Sequence, residues 1–228
     1  MAVLVAGAVV LAVVLAVTGE DGDGDDVAGP DTSTTTVEPL SDEAQELIDL
    51  LAGARDLDLH LAFEPTETPS GGASVLIDVW WKGELAAQKL TVEAAGQREE
   101  AVALVLPDGN VICQRPPEGE WTCQPSVSVA TQAGNPAGII ESLTSDLGGK
   151  DVTVEEATVG VYDARCFTIA GASGGAVCVT DEGIPVRFTL GESQMELTAV
   201  EREVDDAVFE PPAEVEAPAA TTSTTTTG

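Results

Sequence analysis

Apolar and polar residues alternate with a period of two through most of this chain, and short turn sequences punctuate the alternation. Leu57-Asp-Leu-His-Leu-Ala-Phe63 follows the pattern, and Val75, Ile77, Val79 and Trp81 repeat it in the next run. Successive side chains of a strand point to opposite faces, so each run has one apolar side that must be buried. A two-residue loop dictates which residues face one another, so the turns also give the register. Gly83-Glu84 as a loop sets Ile77 opposite Leu90 and Val75 opposite Val92, and Asp108-Gly109 joins Leu106 to Val111. Glu182-Gly183 sets Val179 opposite Val186 and Val177 opposite Phe188, while Glu192-Ser193 sets Leu190 opposite Met195 and Phe188 opposite Leu197. Across the Gly/Ser loop at 171–175, Cys166 faces Cys178, Phe167 faces Val177 and Arg165 faces Val179. The result is a meander with Phe167, Ile169, Val177, Val179, Val186, Phe188, Leu190, Met195 and Leu197 on one apolar side. Thr168, Cys178, Arg187, Thr189, Glu196 and Thr198 take the other.

Two segments have helical spacing instead. Ser41 or Asp42 caps the first, where Ala44, Leu47, Ile48 and Leu51 recur at i, i+3, i+4 and i+7. The second, 136–147, has Pro136 in its first turn and ends at Gly148-Gly149. A long meander buries one face only if something covers it, and these helices are the available cover. The expected fold class is therefore α+β: a large curved antiparallel sheet, a half-barrel, over 41–212, with the N-terminal and central helices on its concave face.

The ends differ from this body. Residues 1–19 hold an uncharged apolar run from Ala2 to Val17, read as a signal peptide or membrane anchor, although no Lys or Arg precedes Arg55. Residues 20–40 form an acidic, Thr-rich linker and 213–228 a Thr-rich tail; both are expected to be disordered, with the Thr tracts open to O-glycosylation. Asp21-Gly-Asp-Gly-Asp-Asp26 superficially resembles a calcium loop, but Asp26 and Thr32 stand where the turn glycine and the bidentate glutamate belong. With 9 Lys and Arg against 40 Asp and Glu, a net charge of −31, the chain repels a phosphate backbone, and nucleic acid is excluded as a partner. Any membrane contact is assigned to the N-terminal segment.

Of the three ways to pair four cysteines, the nearest-neighbour one joins Cys113 to Cys123 and Cys166 to Cys178, each across its own hairpin. Zinc is the competing reading, but the spacings are not the C-x₂₋₄-C of structural sites. Disulfides imply an oxidising, extracytoplasmic compartment.

No catalytic residue, cofactor or metal site is expected. Gly171-Ala-Ser173-Gly-Gly175 matches the G-x-S-x-G of a nucleophile elbow. That elbow needs a strand-to-helix turn, followed in the chain by an acid and then a histidine. Here the motif lies between two strands, and the single histidine, His60, precedes it and reads as a surface strand residue. A serine hydrolase using Ser173 is kept only as a lesser alternative. Trp80 and Trp81 point to opposite faces, so at most one of them faces a cavity.

The order of apolar leader, helix, antiparallel strands, central helix and a terminal meander closing on Val208-Phe-Glu-Pro-Pro212 resembles the bacterial lipoprotein-carrier superfamily, the LolA, LprG and LppX type of cell-envelope protein. The resemblance is architectural and spans 41–212. It implies a half-barrel with helices in its concavity and an apolar cavity for acyl chains. The chain departs from the lipoproteins of that type in having no cysteine after the apolar run to carry a lipid anchor. The expected function is a non-enzymatic extracytoplasmic envelope protein that binds a lipid or lipoprotein acyl chain in a groove formed by the nine apolar residues from Phe167 to Leu197. The alternative is a structural or protein-interaction module at the cell surface, with the helices filling the concavity.

Overall fold

The computed structural model describes residues 39–67, 72–126, 147–171, 175–190 and 193–216. The leader, nearly all of the acidic linker, the expected central helix before Leu147, Ser173 and the tail from 217 lie outside the described residues.

Helix α1 (Asp42–Gly53) starts where Ser41 accepts a hydrogen bond from the Ala44 amide, and it buries Ala44, Leu47 and Ile48. The strands follow as β1 (Leu59–Pro65), β2 (Ser74–Lys82), β3 (Leu85–Ala94), β4 (Gln97–Val105), β5 (Val111–Arg115) and β6 (Thr122–Pro125). After the central segment come β7 (Val152–Val159), β8 (Tyr162–Ile169), β9 (Ala176–Val179), β10 (Pro185–Leu190) and β11 (Ser193–Glu201). They form one open antiparallel sheet of 11 strands in the order β6-β5-β4-β3-β2-β1-β11-β10-β9-β8-β7. Each half is a plain meander. The halves meet where β1 pairs with β11, with Leu61 opposite Val200 and Phe63 opposite Leu197.

Two hairpins have the expected register. Ile77 faces Leu90 and Val75 faces Val92, and Cys166, Phe167 and Arg165 face Cys178, Val177 and Val179. Three registers need correction. Leu190 pairs with Ser193, so Phe188 faces Met195 rather than Leu197, and Leu190 does not face Met195. Leu104, not Leu106, faces Val111. Both displacements are by two residues, so every side chain keeps its face. The third concerns the turn after β9. Thr180 pairs with Ile184 through its amide, leaving a three-residue loop in which Gly183 has φ +84°, and Val179 faces Pro185 instead of Val186. Such loops end in a left-handed residue that favours glycine. A bulge at Val186 then restores the expected pairing of Val177 with Phe188.

The expected large antiparallel sheet is observed, and within the described residues the structure is mostly β, with a single α-helix on the sheet. The packed region continues past Pro212, because Val215 bridges Cys123 and the Glu216 amide donates to the Cys123 carbonyl. This C-terminal stretch includes a short 3-10 turn (Asp206–Phe209) capped by Asp205, and it buries Phe209 against Ala87, Leu104, Cys113 and Cys123.

Candidate functional site

The sheet has an inner face, which bears α1, and an outer face crossed by the C-terminal stretch. On the inner face Ala44 and Leu47 of α1 pack with Val152, Phe167, Ile169 and Val179. The helix thus covers the β7–β9 end. Its flank is held by Arg165, which contacts Glu46 and bonds Asp181 at 2.9 Å. The hydrogen bond to Asp181, ahead of the Glu46 contact and against a smaller effect of burial, raises the Arg165 pKa above its ordinary value.

Beyond the seam the same face continues through Leu59, Leu61 and Phe63 of β1, Ile77, Val79 and Trp81 of β2, Ala86, Gln88 and Leu90 of β3, and Ala101 and Ala103 of β4. All of these are buried. Two are not apolar throughout. Gln88, 5% exposed, lies in register between Val79 and Ala103; Trp81, also 5% exposed, lies opposite Ala86. Neither Gln88 Oε1 nor Trp81 Nε1 has a hydrogen-bond partner. A buried polar group left unpaired costs about 1–3 kcal/mol.

The nine residues expected to line a groove are divided between two cores. Phe167, Ile169 and Val179, with Val177 at their edge, pack under α1. Val186, Met195 and Leu197, with Phe188 at their edge, join the central core, where Phe188 meets Phe63 edge-on at 5.0 Å. Val186 is the extra residue of the bulge, which takes it out of the simple alternation. The side chain of Leu190 lies outside the description. Two clefts, of about 410 and 340 Å³, open beside α1 at Glu46, Arg165 and Asp181 and beside β2–β3 at Glu64, Ser74, Thr91 and Arg98. None of the nine lines either cleft.

The outer face carries a second set of charges. Glu100, with its side chain 1% exposed, is met by Lys89 at 2.7 Å, by Arg98 at 3.0 Å and by Arg115, whose guanidinium also lies over the Trp121 ring. At the seam, His60 stands between Asp78 (2.9 Å) and Glu201 (3.1 Å) and stacks on Trp80. The expected split of the two tryptophans is observed: Trp80 lies on this side and Trp81 in the inner core. The cysteines form the disulfides Cys113–Cys123 and Cys166–Cys178. Among the described residues no group of three or more His, Cys, Asp or Glu is arranged to hold a metal ion.

Sequence reasoning overlooked Gln88. The signal was present, since the Gly83-Glu84 turn that pairs Ile77 with Leu90 also pairs Val79 with Gln88 and so places an amide on the apolar face.

No family model and no curated protein matches the chain. Among solved structures, an uncharacterized conserved protein from Thermus thermophilus is similar at a TM-score of 0.49 and 11% identity, over 77% of this chain and 99% of that one. The Mycobacterium tuberculosis lipoprotein LppX is similar at 0.42 and 17% identity, over 72% and 99%. MucB, solved in complex with MucA, is similar at 0.39 and 16% identity, over 70% and 56%. At these scores no function passes from any of them to this chain.

Proposed function

We propose that this chain is an extracytoplasmic envelope protein that holds a lipid or lipoprotein acyl chain against the inner face of its sheet, by binding and without catalysis. One observation carries the reading: the apolar inner face runs on from the β1–β11 seam to β4, whereas α1 packs over β7–β9. Apolar faces of this breadth are where acyl chains bury their surface. Two disulfides fit a domain that works in an oxidising compartment. The test is mass spectrometry of organic extracts of the purified protein, together with displacement of a fluorescent acyl probe. Copurifying lipid and saturable displacement are expected; a lipid-free protein that binds no probe overturns the reading.

A second reading, a protein-interaction module with a filled core, is favoured by the burial of Phe167, Val179, Val186 and Met195 to 1% exposure or less. It is the reading left standing if acyl binding fails.

A further inference from the structure

The two ends of the sheet are finished differently. The β6 edge is four residues long, holds Pro125 and is occupied by the C-terminal stretch, where Val215 bridges Cys123 and the Glu216 amide donates to the Cys123 carbonyl. The β7 edge is eight residues long, has no proline and pairs with β8 alone. Residues 153–156 of it are exposed, and the two exposed large apolar side chains among the described residues, Val154 and Val161, both belong to this terminal hairpin. The Ala170 amide donates to the Asp151 carbonyl, so by alternation residues 151, 153, 155 and 157 bond to β8. The N–H and C=O groups of Val152, Val154, Glu156 and Thr158 therefore point away from the sheet, and none of them has a backbone partner among the described residues. A long open edge of this kind is a template for another strand.

Charge decides what can pair there. Glu155 and Glu156 stand on opposite faces at the middle of the edge, and the cation in register with Glu156, Arg165, is engaged by Glu46 and Asp181 instead. A second copy added antiparallel through the outward-pointing groups sets Glu155 opposite its own counterpart, or Glu156 opposite its own, in the two registers of greatest overlap. Like charges directly opposite one another are destabilising, and the net charge of −31 on each chain adds to the repulsion. We infer that the β7 edge takes an extended basic segment of another protein as an added antiparallel strand, with Lys or Arg opposite Glu155 and Glu156 and an apolar residue opposite Val154. Main-chain hydrogen bonds supply the pairing, and the glutamates choose the partner. The apolar residue continues the inner-face row of Val154, Phe167, Val177 and Phe188. The site is at the rim of the sheet and does not depend on acyl binding.

The test is fluorescence anisotropy of a labelled, end-blocked peptide, Thr-Val-Arg-Lys-Val-Thr-Val, titrated with the full chain. Its third, fourth and fifth residues fall opposite Glu156, Glu155 and Val154. Saturable binding that weakens with salt is expected, and Glu-Glu in place of Arg-Lys should weaken it at least about tenfold. N-methylation of the third and fifth amides removes donors that face β7 and should also cost at least about tenfold. The fourth and sixth amides face away, so N-methylation there should change binding by no more than about twofold. Val154→Pro removes an outward donor and no bond to β8, so it should keep the circular dichroism of the wild type and lose the peptide. No saturable binding of the Arg-Lys peptide overturns the inference. So does equal loss from the two N-methylation patterns on the wild-type chain, which would mean attraction of charges without an added strand. A dimer in sedimentation that Val154→Pro abolishes would make a second copy the occupant and overturn it as well. None of these readouts requires that an acyl chain bind.

Discussion

Gly183 lies directly against the carbonyl of Leu50: a Cβ placed on it would fall 2.0 Å from that oxygen and 2.9 Å from the Ala54 amide nitrogen. The last turn of α1 is therefore seated on the loop between β9 and β10, and the seat exists only because residue 183 has no side chain. Gly183→Ala should destabilise the domain by at least about 2 kcal/mol, from left-handed strain plus backbone displacement. Gly83→Ala, at φ +58° with open space around it, should cost only about 1 kcal/mol. Urea denaturation of the two variants checks this, and equal losses would mean that the helix does not depend on the seat.

The disulfides close short loops, with sequence separations of 10 and 12. Replacing either pair by alanines should lower stability by about 3 kcal/mol. Six strands lie between β5 and β9 in the sheet order, so the two losses should add to within about 0.5 kcal/mol. Denaturation of both double variants and the quadruple variant tests the sum.

Glu100 is enclosed by three cations, whereas Glu93 meets Arg98 at 3.3 Å with half of its side chain exposed. Removing one member of a buried ion cluster strands the others, so Glu100→Gln should cost about 3 kcal/mol. Glu93→Gln should change stability by no more than about 1 kcal/mol. A neutral effect of the Glu100 substitution would show that solvent reaches the cluster.

Lys82 donates to Asp206 Oδ1 at 2.5 Å and to the Val204 carbonyl at 3.3 Å, tying β2 to the C-terminal stretch. The Asp206 hydrogen bond, opposed by a smaller effect of burial, raises its pKa above the ordinary 10.5. Below pH 10.5 the ammonium is charged both folded and unfolded, so the contribution of the pair is complete there. It is lost as pH rises through the folded-state value. The stability gap between the wild type and Lys82→Met should stay level up to about pH 10 and narrow above it. A gap that widens with alkalinity would contradict this assignment.

The hairpins were legible to different degrees. At Gly83-Glu84 the turn sequence points to one register, and the observed pairing of Ile77 with Leu90 follows from it. In the β10–β11 hairpin, by contrast, the turn falls one residue earlier than Glu192-Ser193, and Leu190 pairs with Ser193. At Asp181-Glu182-Gly183 a two-residue and a three-residue loop both suit the residues, and the docking of Leu50 on Gly183 accompanies the longer one. The candidate site was half legible: the side on which Gln88 lies follows from alternation, but its lack of a partner does not.

Alternation and turn chemistry were sufficient for the antiparallel pairing, the face of nearly every strand residue and the partner of each cysteine, because these are relations between residues a few positions apart. The joining of β1 to β11, the placing of α1 over β7–β9 and the enclosure of Glu100 belong to the tertiary structure. Each depends on groups brought together across the sheet or between packed elements, where many alternatives satisfy the local pattern equally and only the packed whole selects one.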